Sequence, residues 1–246
     1  MIIAHRGYHQ DYKENTLAAF EAAFASGADA IETDMRLTKD GQVVVNHNDE
    51  IRIQDKILII SQTSLSEILD YRGKGSERLL TLDELFEYIA GAAKPFFLEL
   101  KSNSLFLVQS VIDKINAYNL WERAHVIGFR ERIKTSLPLQ ANFPCLRICQ
   151  ILSFPLLSGI KMPPKSYAVF LGWLEALQGS ELVFRTLISQ NILARLLKKY
   201  QARGFQVMAG VINDPAKLER FIRAGITDVF TDNVPAVVEY FSKRPE

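Results

Sequence analysis

Apolar residues along this chain follow two alternating rhythms. Short runs rich in β-branched and aromatic residues recur at Ile2–Ala4, Ala30–Asp34, Phe96–Leu100, His125–Phe129, Leu146–Leu152, Ala168–Leu171, Gln206–Val211 and Asp228–Thr231. Each is too short for a helix and predicts a buried strand. Between most of them the apolar positions repeat every three or four residues, the helical period. In "TLAAFEAAFASG" Thr16 can cap a helix and Gly27 can end it, and in "DPAKLERFIRAG" Asp214 is a cap with Pro215 at the first helical position. Strand and helix alternating around eight strands predict an α/β fold, a (β/α)8 TIM barrel, and 246 residues suit one such domain spanning residues 1–246. Between Ala168 and Leu187 two runs, "AVFLGW" and "ELVFRT", compete for one strand, while residues 50–80 predict a small irregular excursion.

The stretch "DAIETDMRLTKDGQVVVNHND", Asp29 to Asp49, breaks the alternation with a β-hairpin after the second strand. Asp40-Gly41 favours a two-residue type I′ turn, since Gly takes positive φ without steric cost. That register places Asp34 opposite His47 and Glu32 opposite Asp49, all four on one face, with partners about 4.5 to 5.5 Å apart. Such a face is either an ordinary solvated polar surface or the seat of a hard divalent cation between carboxylates. A barrel gathers chemistry at the C-terminal ends of its strands, and there the sequence puts His5-Arg6-Gly7, Glu32-x-Asp34, Glu99-x-Lys101, Asn213 and Asp232. That convergence favours a three-carboxylate cation site on Glu32, Asp34 and Glu99. A simple pairing of Glu99 with Lys101 is the alternative.

The net charge of +1, from 29 basic and 28 acidic residues, offers no footprint for nucleic acid. Hydrophobic residues make up 48% of the chain, ample for a sizeable core, yet no segment reaches the roughly 18 uninterrupted apolar residues of a membrane span. No basic stretch followed by an apolar run opens the sequence, which reads as cytoplasmic. Cys145 and Cys149, about 13 Å apart in an extended strand, are too far separated to bridge and read as buried thiols. His9 and His125 read as structural, and Thr16 as a cap.

HRG at 5–7, ENT at 14–16, "GADAIETDMRLTKDGQVVVNH" at 27–47, "LELK" at 98–101 and "GITDVFTD" at 225–232 together resemble glycerophosphodiester phosphodiesterases, in family order from residue 1 to about 235. The resemblance implies a TIM barrel that hydrolyses a small-molecule glycerophosphodiester to glycerol 3-phosphate and an alcohol. It implies one divalent cation, Mg²⁺ or Ca²⁺, on Glu32, Asp34 and Glu99, with His5 and His47 as the acid/base pair and Arg6 and Lys101 against the phosphate. Within that scheme His5 is the expected base and His47 the expected proton donor. The sequence departs from the family pattern at Lys13, where a proline is usual, at Asn48, where an aspartate is usual, and at Gly210, where a tryptophan is usual. The last departure, with the apolar stretch Ile151–Leu177, suggests a longer lipid diester as in lysophospholipase D members; a non-catalytic barrel that binds phosphorylated ligands is the reading from another class.

Overall fold

All eight predicted runs are strands. The computed structural model describes residues 1–53, 56–71, 78–152, 167–173 and 179–244. In chain order the barrel strands are β1 (Ile2–His5), β2 (Ala30–Leu37), β7 (Phe96–Leu100), β8 (Ala124–Phe129), β9 (Ile148–Leu152), β10 (Ala168–Leu171), β11 (Gln206–Ala209) and β12 (Asp228–Thr231). They pair in parallel in that order, and β12 and β2 both pair with β1, which closes the barrel. The β1–β2 register sets His5 beside Glu32, and the β2–β7 register sets Asp34 beside Glu99. Strand pairing alone therefore brings four chemically active residues from three strands to one end.

Alternation along each strand divides the core in two. Inward-facing Ile3, Ala30, Phe97, Ile127, Cys149, Ala168, Phe170, Met208 and Phe230 fill the barrel, large rings against alanines. Outward-facing residues pack against the helices. Helix α1 (Leu17–Ala25) is capped by the Thr16 side chain, which accepts from Ala19 N, and buries Ala18, Ala19, Phe20 and Ala23. Helix α3 (Leu82–Gly91) starts on a capping box between Thr81 and Glu84. In the contested stretch "AVFLGW" supplies β10, and "ELVFRT" lies in a helix, Ser180–Leu187. Parts of the apolar stretch Ile151–Leu177, residues 153–166 and 174–177, fall outside the described residues.

The hairpin after β2 is present but its register differs from expectation by one residue. Met35 pairs with Val45, Arg36 with Val44 and Leu37 with Val43, so the loop is Lys39-Asp40-Gly41, with Gly41 left-handed at φ 76°. The Thr38 hydroxyl causes the extra residue: it donates to Asp40 Oδ1 at 2.6 Å and accepts from Gln42 N at 2.9 Å. Asp34 therefore faces Asn46, whose N–H donates to the Asp34 carbonyl, and neither the Asp34–His47 nor the Glu32–Asp49 facing pair exists. Asp49 instead accepts from the Ser61 N–H and hydroxyl.

The stretch from 50 to 80, expected to be irregular, carries a second hairpin of β4 (Glu50–Ile53) and β5 (Lys56–Ile59), a helix α2 (Leu65–Tyr71), and the short strand β6 (Leu80–Thr81), which pairs with β3 (Val43–Val45). Ile51, Ile60, Ile68 and Leu79 form a small core of their own around Val44. Their spacing across a hairpin, a turn and a helix gives no single period to read.

Candidate active site

The first turn after β1 is built by two residues in the left-handed region. Arg6 at φ 60° and Gly7 at φ 81° swing the chain back so tightly that a Cβ on Gly7 would lie 2.7 Å from the Ala19 backbone. Asn15, also at φ 60°, closes the loop by donating its N–H to the Arg6 carbonyl. Its side-chain amide donates to Asp34 Oδ2 at 2.8 Å, while its carbonyl accepts from Thr33 Oγ1 and Asp34 N. Asn15, which the sequence shows only as part of the ENT motif, fixes the orientation of Asp34.

Glu32, Asp34 and Glu99 come together as expected. All three are buried, and one carboxylate oxygen from each lies within 4.8 Å of the others. Lys101 Nζ spans Asp34 Oδ1 and Glu99 Oε2 at 2.7 Å each, and the Arg6 Nε is 3.3 Å from Asp34 Oδ2. Arg132, on a one-turn helix (Arg130–Ile133), donates to Glu99 Oε1 at 3.0 Å. Burial opposes ionisation of Asp34, but Lys101 and Arg6 outweigh it and hold its carboxyl below the usual range. For Glu32 the balance is reversed: burial, with the Asp34 and Glu99 charges added, outweighs the pull of His5 and Lys101 and pushes it up to about 8.

Glu32 is the telling residue. It is 2% exposed, and among the described residues neither of its carboxylate oxygens has a hydrogen-bond partner. A buried carboxylate left bare costs several kcal/mol unless something positive joins it. A hard cation taking one oxygen from each of the three acids satisfies it, so the residues present fit Mg²⁺ or Ca²⁺.

His5 sits beside this cluster. Its Nδ1 is 2.7 Å from Asp232 Oδ1 and its Nε2 is 3.8 Å from Glu32 Oε2, so Nε2 faces the carboxylates. Asp232 is held in turn by the Asn213 side chain, which donates to Oδ2 at 2.7 Å and accepts from the Asp232 N–H. Burial works against the imidazolium, but the Asp232 bond and the Glu32 charge prevail and raise the His5 pKa. His9, read as structural, comes within 3.6 Å of the same Asp232 oxygen.

His47, just after β3, is half-buried, and Arg36 grips its carbonyl through Nε at 2.8 Å. Its Nδ1 meets Asn48 Oδ1 at 3.0 Å. Burial and the positive charges of Lys101 and Arg6 push its pKa down to about 4. Ile151 and Val211 pack against the apolar core inside the barrel, next to Phe170 and Phe230. Gly210 adds no open space there, since a Cβ on it would meet Phe230 Cβ at 2.6 Å. A side chain at 210 is therefore blocked at its first carbon by Phe230 of β12.

Residues 5–236 match the Glycerophosphoryl diester phosphodiesterase family. The chain belongs to this family. It is 28% identical to a glycerophosphodiester phosphodiesterase of Caldanaerobacter subterraneus, covering 99% of this chain and 98% of the relative. It is 27% identical to the human lysophospholipase D GDPD1, over 94% of this chain and 82% of that one. Among solved structures, an Oleispira antarctica phosphodiesterase in complex with the product sn-glycerol-3-phosphate superposes with a TM-score of 0.76 at 20% identity, over 99% of this chain and 97% of that one. A Parabacteroides distasonis glycerophosphodiester phosphodiesterase gives 0.77, also at 20% identity, over 98% and 97%. As a glycerophosphoryl diester phosphodiesterase family member the chain is a hydrolase with a TIM-barrel fold, and among its described residues no helix is long and apolar enough to cross a membrane.

Proposed function

We propose that this protein hydrolyses glycerophosphodiesters to glycerol 3-phosphate and an alcohol, using one divalent cation on Glu32, Asp34 and Glu99 and the pair His5 and His47. The bare, buried Glu32 carboxylate beside two other acids carries this reading. Mg²⁺ or Ca²⁺ held there supplies positive charge that offsets the phosphodiester anion and the further charge of the transition state. Arg6 and Lys101, whose charges already border the carboxylates, neutralise the remaining phosphoryl oxygens.

His5 is the base. Asp232 on Nδ1 fixes the tautomer so that Nε2 is free to take the proton from an attacking glycerol hydroxyl as its oxygen bonds to phosphorus. His47 gives a proton to the departing alkoxide as the second phosphorus–oxygen bond breaks, and water then opens the resulting cyclic phosphate. With its pKa near 4, free His47 is neutral at pH 7. A phosphodiester anion between Lys101 and Arg6 offsets the two charges that add to burial in depressing it, so bound substrate raises its pKa and its protonated fraction.

Melting curves with Mg²⁺ or Ca²⁺, run beside turnover of glycerophosphoethanolamine with and without chelator, test the reading. Wild type should gain melting temperature and activity with cation, and Glu99→Ala should lose both gains. Equal cation shifts in the two proteins, or turnover that survives chelation, would overturn it.

A further inference from the structure

Beyond His47 the rim opens into a second cavity of about 350 Å³, lined by Lys13, Glu14, Asn46, Asn48, Glu50 and Arg52, with Ile51 and Ile57 at its edge. It adjoins the carboxylate cluster through two shared walls. Asn46 and Asn48 flank His47 in the chain, and the Asn48 amide oxygen lies 3.0 Å from the imidazole. Glu14 is bonded at 3.0 Å to Arg6, which also reaches Asp34. A group leaving phosphorus on the His47 side thus enters this cavity.

Its lining defines what it accepts. Glu14 is neutralised by Arg6, whereas Lys13 and Arg52 have no carboxylate partner among the described residues. Glu50 supplies one negative charge, and the Asn46 amide is engaged with backbone carbonyls at 2.7 and 3.5 Å. Among the described residues no aromatic ring lines the cavity, so they form no cage of the kind that favours a quaternary ammonium. Two free cations and one carboxylate match a compact zwitterion in which a carboxylate accompanies a primary ammonium. Lys13 and Asn48 stand where the chain leaves the family pattern.

We propose that this cavity is the subsite for the leaving alcohol, and that it selects a compact headgroup carrying both a carboxylate and an ammonium, of the serine type, over ethanolamine or choline. The inference rests on the rim reading above, in which His47 faces the leaving group. It holds for glycerophospho- and lysophospho-diesters alike, because both release the same alcohol.

Glycerophosphoserine and glycerophosphoethanolamine differ by the carboxylate alone and form the probe pair. Titrated into the whole ¹⁵N-labelled chain in the presence of chelator, both should shift the Asn46 and Asn48 side-chain amide signals. The serine diester should bind about tenfold more tightly, the effect of two partly exposed charge pairs. The double variant Lys13→Ser, Arg52→Ser should bring that ratio to about one while leaving the ethanolamine affinity in place. A ratio near one in wild type, a preference that survives in the double variant, or silent Asn46 and Asn48 signals would each overturn the subsite. Turnover with cation is scored separately: failure on every diester would remove the hydrolytic reading, while the binding ratio would still decide the cavity.

Discussion

Replacing Asn48 by Asp bears directly on what His47 does. The amide oxygen of Asn48 meets His47 Nδ1 at 3.0 Å, so the substitution puts a carboxylate at hydrogen-bond distance from the imidazole with little change of shape. A charge that close raises a pKa by about 1 to 3 units, and the exposure of residue 48 argues for the lower half of that range, about 1.5. His47 then moves from about 4 to the mid-fives. At pH 7 its protonated fraction in the free protein rises from about one in a thousand to about one in thirty, a gain of about 30-fold. NMR titration of the His47 ring signals reads the pKa directly, and steady-state rates read the consequence. Asn48→Asp should hydrolyse a poorly activated alcohol diester several-fold faster on the alkaline side of its profile. A p-nitrophenyl diester, whose leaving anion needs no proton, should be unaffected. A raised His47 pKa with no change in the ratio of the two rates would refute the donor role. An unmoved pKa would refute the electrostatic account of why His47 is low.

Glu32→Gln should abolish the cation-induced rise in melting temperature. It should also stabilise the cation-free protein at pH 8: a carboxyl whose folded pKa is raised to about 8 costs stability as pH climbs from its ordinary value of 4.5, and the amide has no such cost. A retained cation shift would remove Glu32 from the site. His125, 2% exposed and held near pKa 4 chiefly by burial, refuses a proton that the unfolded chain accepts below 6.5, so stability falls by up to about 3 kcal/mol as pH drops from 6.5 to 4. His125→Leu should flatten that loss, and parallel melting-temperature curves from pH 7 to 4.5 would show that His125 is not its source. Gly210→Ala, which drives a Cβ to 2.6 Å from Phe230, should cost about 1 to 3 kcal/mol in chemical denaturation; wild-type stability would mean that the strand yields freely.

The barrel was legible because its eight strands are short, apolar and separated by helices with clear caps, so pattern and tertiary structure agree. The carboxylate cluster was legible because it lies at strand ends, where position along a strand fixes the facing. The hairpin register was not, since the Asp40-Gly41 signal is shared by two- and three-residue loops and the Thr38 hydroxyl decided between them. Asn15 hid behind the start of α1: its amide bonds Asp34, nineteen residues away, and no local pattern announces that. Arg132 reaches Glu99 from a one-turn helix with no motif around it. The His5–Asp232 bond joins residues 227 positions apart, and only barrel closure brings them together.

That separation governs when function appears during synthesis. Glu32, Asp34 and Glu99 all leave the ribosome within the first hundred residues, yet Asp232 follows the last barrel strand. Domains assemble from the N-terminus as they emerge, and non-local pairings form late. The His5–Asp232 bond forms only when β12 docks between β1 and β11, so a nascent chain that has not yet paired β12 holds the acidic cluster without an oriented His5. Closure of the barrel, rather than assembly of the acids, is thus the step that orients His5.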